Sequence, residues 1–350
     1  MALLNRLGLS VPIFAAPMAG MSTPALAAAV SNAGGLGGLG IGTGSLEAAR
    51  KMITETQRLT SKSFNVNLFV HQPPRPDTKT ESGWLEFLKP IHTELDLEVP
   101  TKLPDAGKGL VDNAPLVDLL LELKPPVISF HFGIPEASVL RQLRDSGAVL
   151  MATATNLDEL NVIEKAKLDA VIAQGSEAGG HRGVFDPKAK DDLIPTLELV
   201  RLFNKHTSLP IIAAGGLMYG KDIKAALSAG ATAAQLGTAF IPCPESTASE
   251  AHTQALLKTR PEDTTFTTVV SGRPARGIKN RFTALEDRLD GTVVPDFPLH
   301  YGLTKQLMAE AKKKGVEGYE VMWAGTEAAR SRAMPAADLV KKLSEEMEAA

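Results

Sequence analysis

A single cysteine, Cys243, stands in 350 residues. That excludes an intrachain disulfide, and with no Cys/His cluster there is no zinc framework. An excess of one charge is also missing: 37 Lys+Arg against 40 Asp+Glu leave a net charge of −3, which argues against an electrostatic binder of nucleic acid or anionic membrane. No apolar run reaches the ~20 residues that a membrane-spanning helix needs. Met1 to Ser10 lacks a basic stretch followed by an apolar one, so no signal peptide is expected, and the final Glu345 to Ala350 is not an organelle-targeting tail. What is present is ordinary globular usage, 44% hydrophobic and 22% charged, which excludes a disordered or fibrous chain. The expectation is a soluble, cytoplasmic protein that acts on a small molecule, has no bound metal, and is free to form an oligomer.

Short apolar runs alternate with longer helical ones. The strand candidates are Val11–Ala16, Gly35–Gly40, Phe64–Val70, Val127–Phe132, Ala148–Ala152, Asp169–Ala173, Leu209–Ala214 and Ala231–Leu236. Several are apolar on consecutive positions, as a strand buried on both faces requires. Between them lie helices at Thr23–Asn32, Ser45–Leu59, Pro135–Asp145, Asn156–Lys167, Ile194–Lys205 and Lys221–Ala229. Eight such units predict an α/β fold, a (β/α)8 TIM barrel, rather than an open doubly wound sheet. Two stretches break the alternation. His71 to Lys124 is rich in proline (Pro73, Pro74, Pro76, Pro90, Pro100, Pro104), with helical pieces at Trp84–Leu88 and Pro115–Leu123; Pro242 to Pro298 carries a helix at Ser249–Lys258. The division expected is a barrel core over 1–240, an inserted smaller substrate-side subdomain over 241–300, and C-terminal helices over 301–350, the last docking through Leu339, Val340, Leu343 and Met347.

The unusual residues gather where strands end, the rim at which barrels place their chemistry. Pro17-Met18-Ala19-Gly20 follows the first strand, Asn67 ends the third, and His131-Phe132-Gly133 ends the fourth. Gln174 and the loop Gly175 to Gly183 follow the sixth, Gly215-Gly216 the seventh, and Gln235-Leu236-Gly237-Thr238 the eighth. Glycines after strands seven and eight suit a phosphate, because a loop without Cβ atoms lets backbone N–H groups approach an anion. Tight turns alone also use glycine. His181, in a glycine-rich loop rather than on an apolar face, is the sharpest candidate base. His131, between Phe130 and Phe132, is equally a packed strand-end residue. His92, His206 and His252 fit exposed positions. Gly35-Leu36-Gly37-Gly38-Leu39-Gly40 spells a dinucleotide fingerprint, but it follows a helix and forms a strand, so close backbone approach is the better explanation.

These runs, Ala16 to Pro24, Asn65 to Phe69, Ser129 to Gly133, Gly175 to Gly183, Ala213 to Leu217, Gln235 to Phe240 and Trp323-Ala324-Gly325, resemble class I nitronate monooxygenase over nearly the whole chain. The resemblance implies FMN as cofactor. It places Pro17, Met18 and Ala19 along the isoalloxazine and Asn67 and Gln174 hydrogen-bonding near it. Gly179, Gly180, Gly215, Gly216, Gln235, Leu236, Gly237 and Thr238 would wrap the ribityl phosphate. It implies oxidation of an alkyl nitronate, propionate 3-nitronate above all, by O2 to a carbonyl compound and nitrite. His181 would be the base for neutral nitroalkanes, and His131, Tyr301 and Lys305 would line the substrate pocket. Met21 departs from the glycine expected in relatives. Other readings of the same barrel are an FMN-dependent NAD(P)H:quinone or enoyl-thioester reductase, a flavin-free sugar-phosphate enzyme, and a non-catalytic binding barrel.

Overall fold

A computed structural model describes residues 2–42, 44–104, 109–111 and 113–350; part of the expected proline-rich insertion, 105–108 and 112, lies outside the described residues. The strands in chain order are β1 (Ile13–Ala15), β2 (Gly37–Gly40), β3 (Phe64–Phe69), β4 (Val127–His131), β5 (Val149–Ala154), β6 (Ala170–Gln174), β7 (Gly180–His181), β8 (Ile211–Ala214), β9 (Ala233–Leu236), β10 (Thr264–Thr267) and β11 (Ala275–Ile278). Eight of them form one parallel sheet in the order β1-β9-β8-β6-β5-β4-β3-β2. Its two edges meet: Leu36 N–H donates to the Ile13 carbonyl at 2.9 Å and Ala15 N–H to the Leu36 carbonyl at 2.8 Å. Closure of eight parallel strands makes the (β/α)8 barrel, every strand where the apolar runs placed it.

The barrel interior is filled by Phe14, Leu36, Val127, Val149, Met151, Ile172 and Ile212, and the short helix Ala2–Leu7 plugs the bottom with Leu3 and Leu7. The glycines of β2 are there for approach. A Cβ on Gly37 would lie 1.9 Å from the Ala27 carbonyl oxygen, and one on Gly38 2.5 Å from that of Ala15. Outside, helix starts follow the capping signals: the Oγ of Thr23 and Ser45 and the Oδ1 of Asn156 each accept an N–H three residues on. The last helix, Ala336–Ala349, buries Leu339, Val340 and Leu343 on the barrel, and Glu346 accepts Gly220 N–H at 3.0 Å.

A second apolar core lies beyond the barrel. It joins Trp84, Leu88 and Leu95 to Val269, Val270 and Phe282 and to Leu303, Leu307 and Tyr319, three stretches far apart in sequence. The helical piece expected at Trp84–Leu88 is in fact a 17-residue helix, Thr78–Glu94, with Pro90 inside it; burial of one face in this core outweighs the hydrogen bond that proline removes. β10, β11 and β7 form a small antiparallel sheet, with His181 opposite Ala275. It fastens the inserted chain to the loop after β6. No helix among the described residues is long and apolar enough to cross a membrane.

Candidate functional site

The C-terminal ends of the strands open into a cleft with about 1300 Å³ of unfilled space, part of it continuous with solvent. Pro17, Met18, Ala19, Asn67, His131, Gln174, Gly179, Gly180, His181, Gly215, Gly216, Gln235, Leu236, Gly237, Thr238 and Tyr301 all line it. Lys305 does not: it is exposed, with Nζ 4.2 Å over the Tyr301 ring. Sequence reasoning missed Phe69, Thr153, Glu327 and His252 on the same wall.

At one end the turns after β8 and β9 face each other. The N–H groups of Gly215, Gly216, Gly237 and Thr238 have no acceptor among the described residues. Gly215 and Gly216 hold φ of +122° and +67°, which aims successive N–H groups outward. Space in front of this cradle is free, since a Cβ on Gly180 would meet nothing within 4 Å and one on Gly237 nothing closer than 3.4 Å. Unpaired N–H groups around an open space, with a glycine wherever a side chain would fill it, fit a phosphate. From the C-terminal segment, Gly325 N–H donates to Thr238 Oγ1 at 3.0 Å, and Gly325 closes over the loop that carries Gly179.

At the other end stands His181. Phe69, Phe132, Phe297, Tyr301 and Trp323 surround its half-buried ring with centroids 5.5–6.2 Å away. Its Nε2 lies 2.8 Å from Ser271 Oγ. The Ser271 hydroxyl has the Arg273 carbonyl at 3.4 Å to donate to. When Ser271 donates to that carbonyl, Nε2 carries the imidazole proton and Nδ1 keeps the lone pair. Burial, then the His131 ring and the Arg273 and Lys305 cations, push the His181 pKa down to about 3, so the ring is neutral.

The neighbours hold His181 in place. His131 Nε2 and Gln174 Nε2 both donate to the His181 carbonyl, at 3.1 and 3.0 Å. His131 Nδ1 accepts from Thr153 Oγ1, and Gln174 Oε1 accepts Gly183 N–H at 2.7 Å. Both ring nitrogens of His131 are therefore engaged within the protein. Arg182, 1% exposed, pairs with Asp191 through two nitrogens and donates to the Gln174 carbonyl. Asn67 donates to Ser129 Oγ at 2.8 Å from the barrel floor of the cleft.

Two of the histidines expected at the surface are buried instead. His92 is 2% and His252 3% exposed, the latter lining the cleft with Nε2 3.2 Å from the Trp323 carbonyl. Each sits on a helix face covered by chain remote in sequence, so nothing local signals its burial. His206 is exposed as expected.

Burial drives the pKa values of His71, His131 and His300 down to about 4, beside that of His181 at about 3. An unfolded chain protonates its histidines near pH 6.5, and these four resist until well below that. Stability is therefore full above about pH 7 and is lost as pH falls from about 6.5 toward 4. The carboxyl of Glu159, pushed up by burial, opposes the trend singly. The urea midpoint should drop between pH 7 and 5, above most carboxylate titration; an unchanged midpoint would contradict the neutral-histidine assignment.

Residues 2–346 match a family model described as nitronate monooxygenase. The chain is 49% identical over 346 residues to a nitronate monooxygenase of Paraburkholderia phytofirmans, covering 99% of this chain and 94% of that protein. It is 46% identical to one of Pseudomonas aeruginosa, covering 97% of each. Among solved structures, nitroalkane oxidase from Streptomyces ansochromogenes superposes with a TM-score of 0.89 at 37% identity, covering 100% of this chain and 98% of that one. FabK from Thermotoga maritima superposes at 0.75 with 25% identity, covering 99% and 96%.

Proposed function

We propose, from the premise that this chain belongs to the nitronate monooxygenase family of flavin-dependent oxidoreductases, that it uses FMN to oxidise alkyl nitronates with O2 to a carbonyl compound and nitrite. Propionate 3-nitronate is the expected substrate. One observation carries this reading: a single cleft joins an N–H cradle without acceptors among the described residues to an aromatic wall that presents a neutral imidazole.

Gly179, Gly180, Gly215, Gly216 and Gln235 to Thr238 would hold the FMN phosphate, with Pro17, Met18 and Ala19 backing the ring and Asn67 and Gln174 beside it. When bound, the flavin would supply the redox chemistry that links the substrate's oxidation to O2. The protein's part is to orient the substrate, exclude water and manage one proton. Phe69, Phe132, Phe297 and Trp323 keep the His181 end apolar. An ionised nitronate needs no base there, and the imidazole orients it. A neutral nitroalkane must lose its α-proton, and His181 Nδ1 is the lone pair available to take it. A ring held so far below ordinary basicity is a weak base, so nitronates should turn over faster than nitroalkanes. Residues 241–300, with the helices Thr78–Glu94 and Tyr301–Lys313 that share their apolar core, form the substrate side over the barrel.

The test is nitrite release with O2 uptake, assayed on propionate 3-nitronate, simple nitroalkanes, and NADPH with a quinone. Nitrite from the nitronate at the highest rate supports the proposal. NADPH oxidation without nitrite from any nitro compound would replace it with the reductase reading.

A further inference from the structure

The chain has two deeply buried arginines beside the cleft, and they differ. Arg182 is neutralised by Asp191. Arg273, 4% exposed, has no carboxylate within ion-pair distance among the described residues; its guanidinium donates to the carbonyls of Val184 at 2.6 Å and Phe185 at 3.2 Å. A buried cation bound only to neutral acceptors is costly and needs a reason. It lies 4.3 Å over the face of Phe132, whose ring centre is in turn 4.6 Å from that of His131 and 5.7 Å from that of His181. Two residues back, Ser271 touches His181, and Gly272, at φ +95°, packs against Pro295 and Phe297 to make this tight turn.

We propose that Arg273 is a specificity-determining residue, giving the aromatic end of the cleft its preference for an anionic substrate by acting across Phe132 without touching the ligand. The proposal rests on the nitronate reading above only for the identity of that anion. The groups facing His181 are of one sign or neutral: His131 from β4, Arg273 from the turn before β11, and Tyr301 and Lys305 from the helix Tyr301–Lys313. The carboxylates that act on Arg273, those of Asp186, Glu159 and Asp296, do so without a direct bond to it. A cation buried behind Phe132 and the cleft-lining His131 and His181 rings is screened far less than a surface lysine. That field also disfavours imidazolium, adding to the burial that is the chief cause of the depressed pKa values of His131 and His181.

The test uses the flavin-loaded protein and sodium nitrate, a planar anion that does not turn over, with binding read from the flavin absorbance. Arg273→Gln keeps amide N–H groups for the two carbonyls and removes the charge; Arg273→Lys restores it. Nitrate Kd should rise about tenfold in the glutamine variant and recover in the lysine variant. KM for a nitronate should rise by a similar factor, while KM for a neutral nitroalkane, which brings no charge to the cleft, stays within about twofold. Asp296→Asn, at a partly exposed carboxylate, changes the field in the opposite sense without altering the core and should tighten nitrate about twofold. Nitrate affinity unchanged in Arg273→Gln and Asp296→Asn, or nitronate and nitroalkane damaged equally, would overturn the proposal. Should the protein turn over no nitronate at all, the nitrate titrations still decide the role of Arg273, so the two readings fail separately.

Discussion

Replacing His181 with asparagine should leave the flavin bound and cut turnover of neutral nitroalkanes by roughly 10²-fold or more, about 2.7 kcal/mol of lost transition-state stabilisation. Asparagine retains a polar side chain for Ser271 but has no lone pair of imidazole basicity. The His181 backbone, gripped by His131, Gln174 and the pairing with Ala275, stays in place, so the variant should fold and keep its colour. Turnover of a pre-ionised nitronate should fall much less, because no proton has to be removed. Steady-state kinetics on the two forms of the same nitroalkane check this. Equal losses on both would assign His181 to binding, and no loss on the neutral form would remove it from the base role.

Gly215→Val should have the second large effect, on the cofactor rather than the chemistry. Gly215 sits at φ +122°, a conformation closed to a β-branched residue, and its Cβ would fall 2.7 Å from Thr196 Oγ1 and 3.0 Å from Ala178 N. Thr196 cannot easily yield, since its hydroxyl lies within hydrogen-bonding distance of Glu177 and of the Gly215 carbonyl. The turn must therefore rotate and carry its N–H groups away from the cradle. Backbone strain and overpacking of roughly 1–3 kcal/mol each translate into a loss of about 10²-fold or more in flavin affinity. The protein should purify largely colourless with its far-ultraviolet circular dichroism intact. Full flavin occupancy in this variant would contradict the phosphate assignment.

The barrel was legible because its strands are buried on both faces. Runs such as Val127–Phe132 and Leu209–Ala214 carry apolar residues without alternation, and the glycines of β2 declared themselves by following a helix rather than opening one. The rim was legible too, since glycines and polar residues stood at each strand end. What the local pattern could not carry is anything decided by distant chain. Pro90 hid the helix Thr78–Glu94, whose reason to exist is a core shared with Phe282 and Leu307. β7 is two residues inside a glycine loop, too short for any periodicity, and is a strand only because Ala275 and Arg276 lie beside it. Gln174 could be placed at the cleft, but not the fact that both ends of its amide hold the His181 loop. Ser271 and Arg273 lie in a segment with no periodic frame, and only their proximity to His181 and Phe132 marks them.

In the proposed reaction this cleft seats a flavin against His181, and the electrons that reach it come from a nitronate. Rapid anaerobic mixing tests it most directly, with the absorbance near ~450 nm that a bound flavin gives as the readout. Propionate 3-nitronate should bleach the protein fast, the yellow colour should return when O2 is admitted, and NADPH should leave the spectrum unchanged. Bleaching by NADPH and none by the nitronate would contradict the proposed reaction.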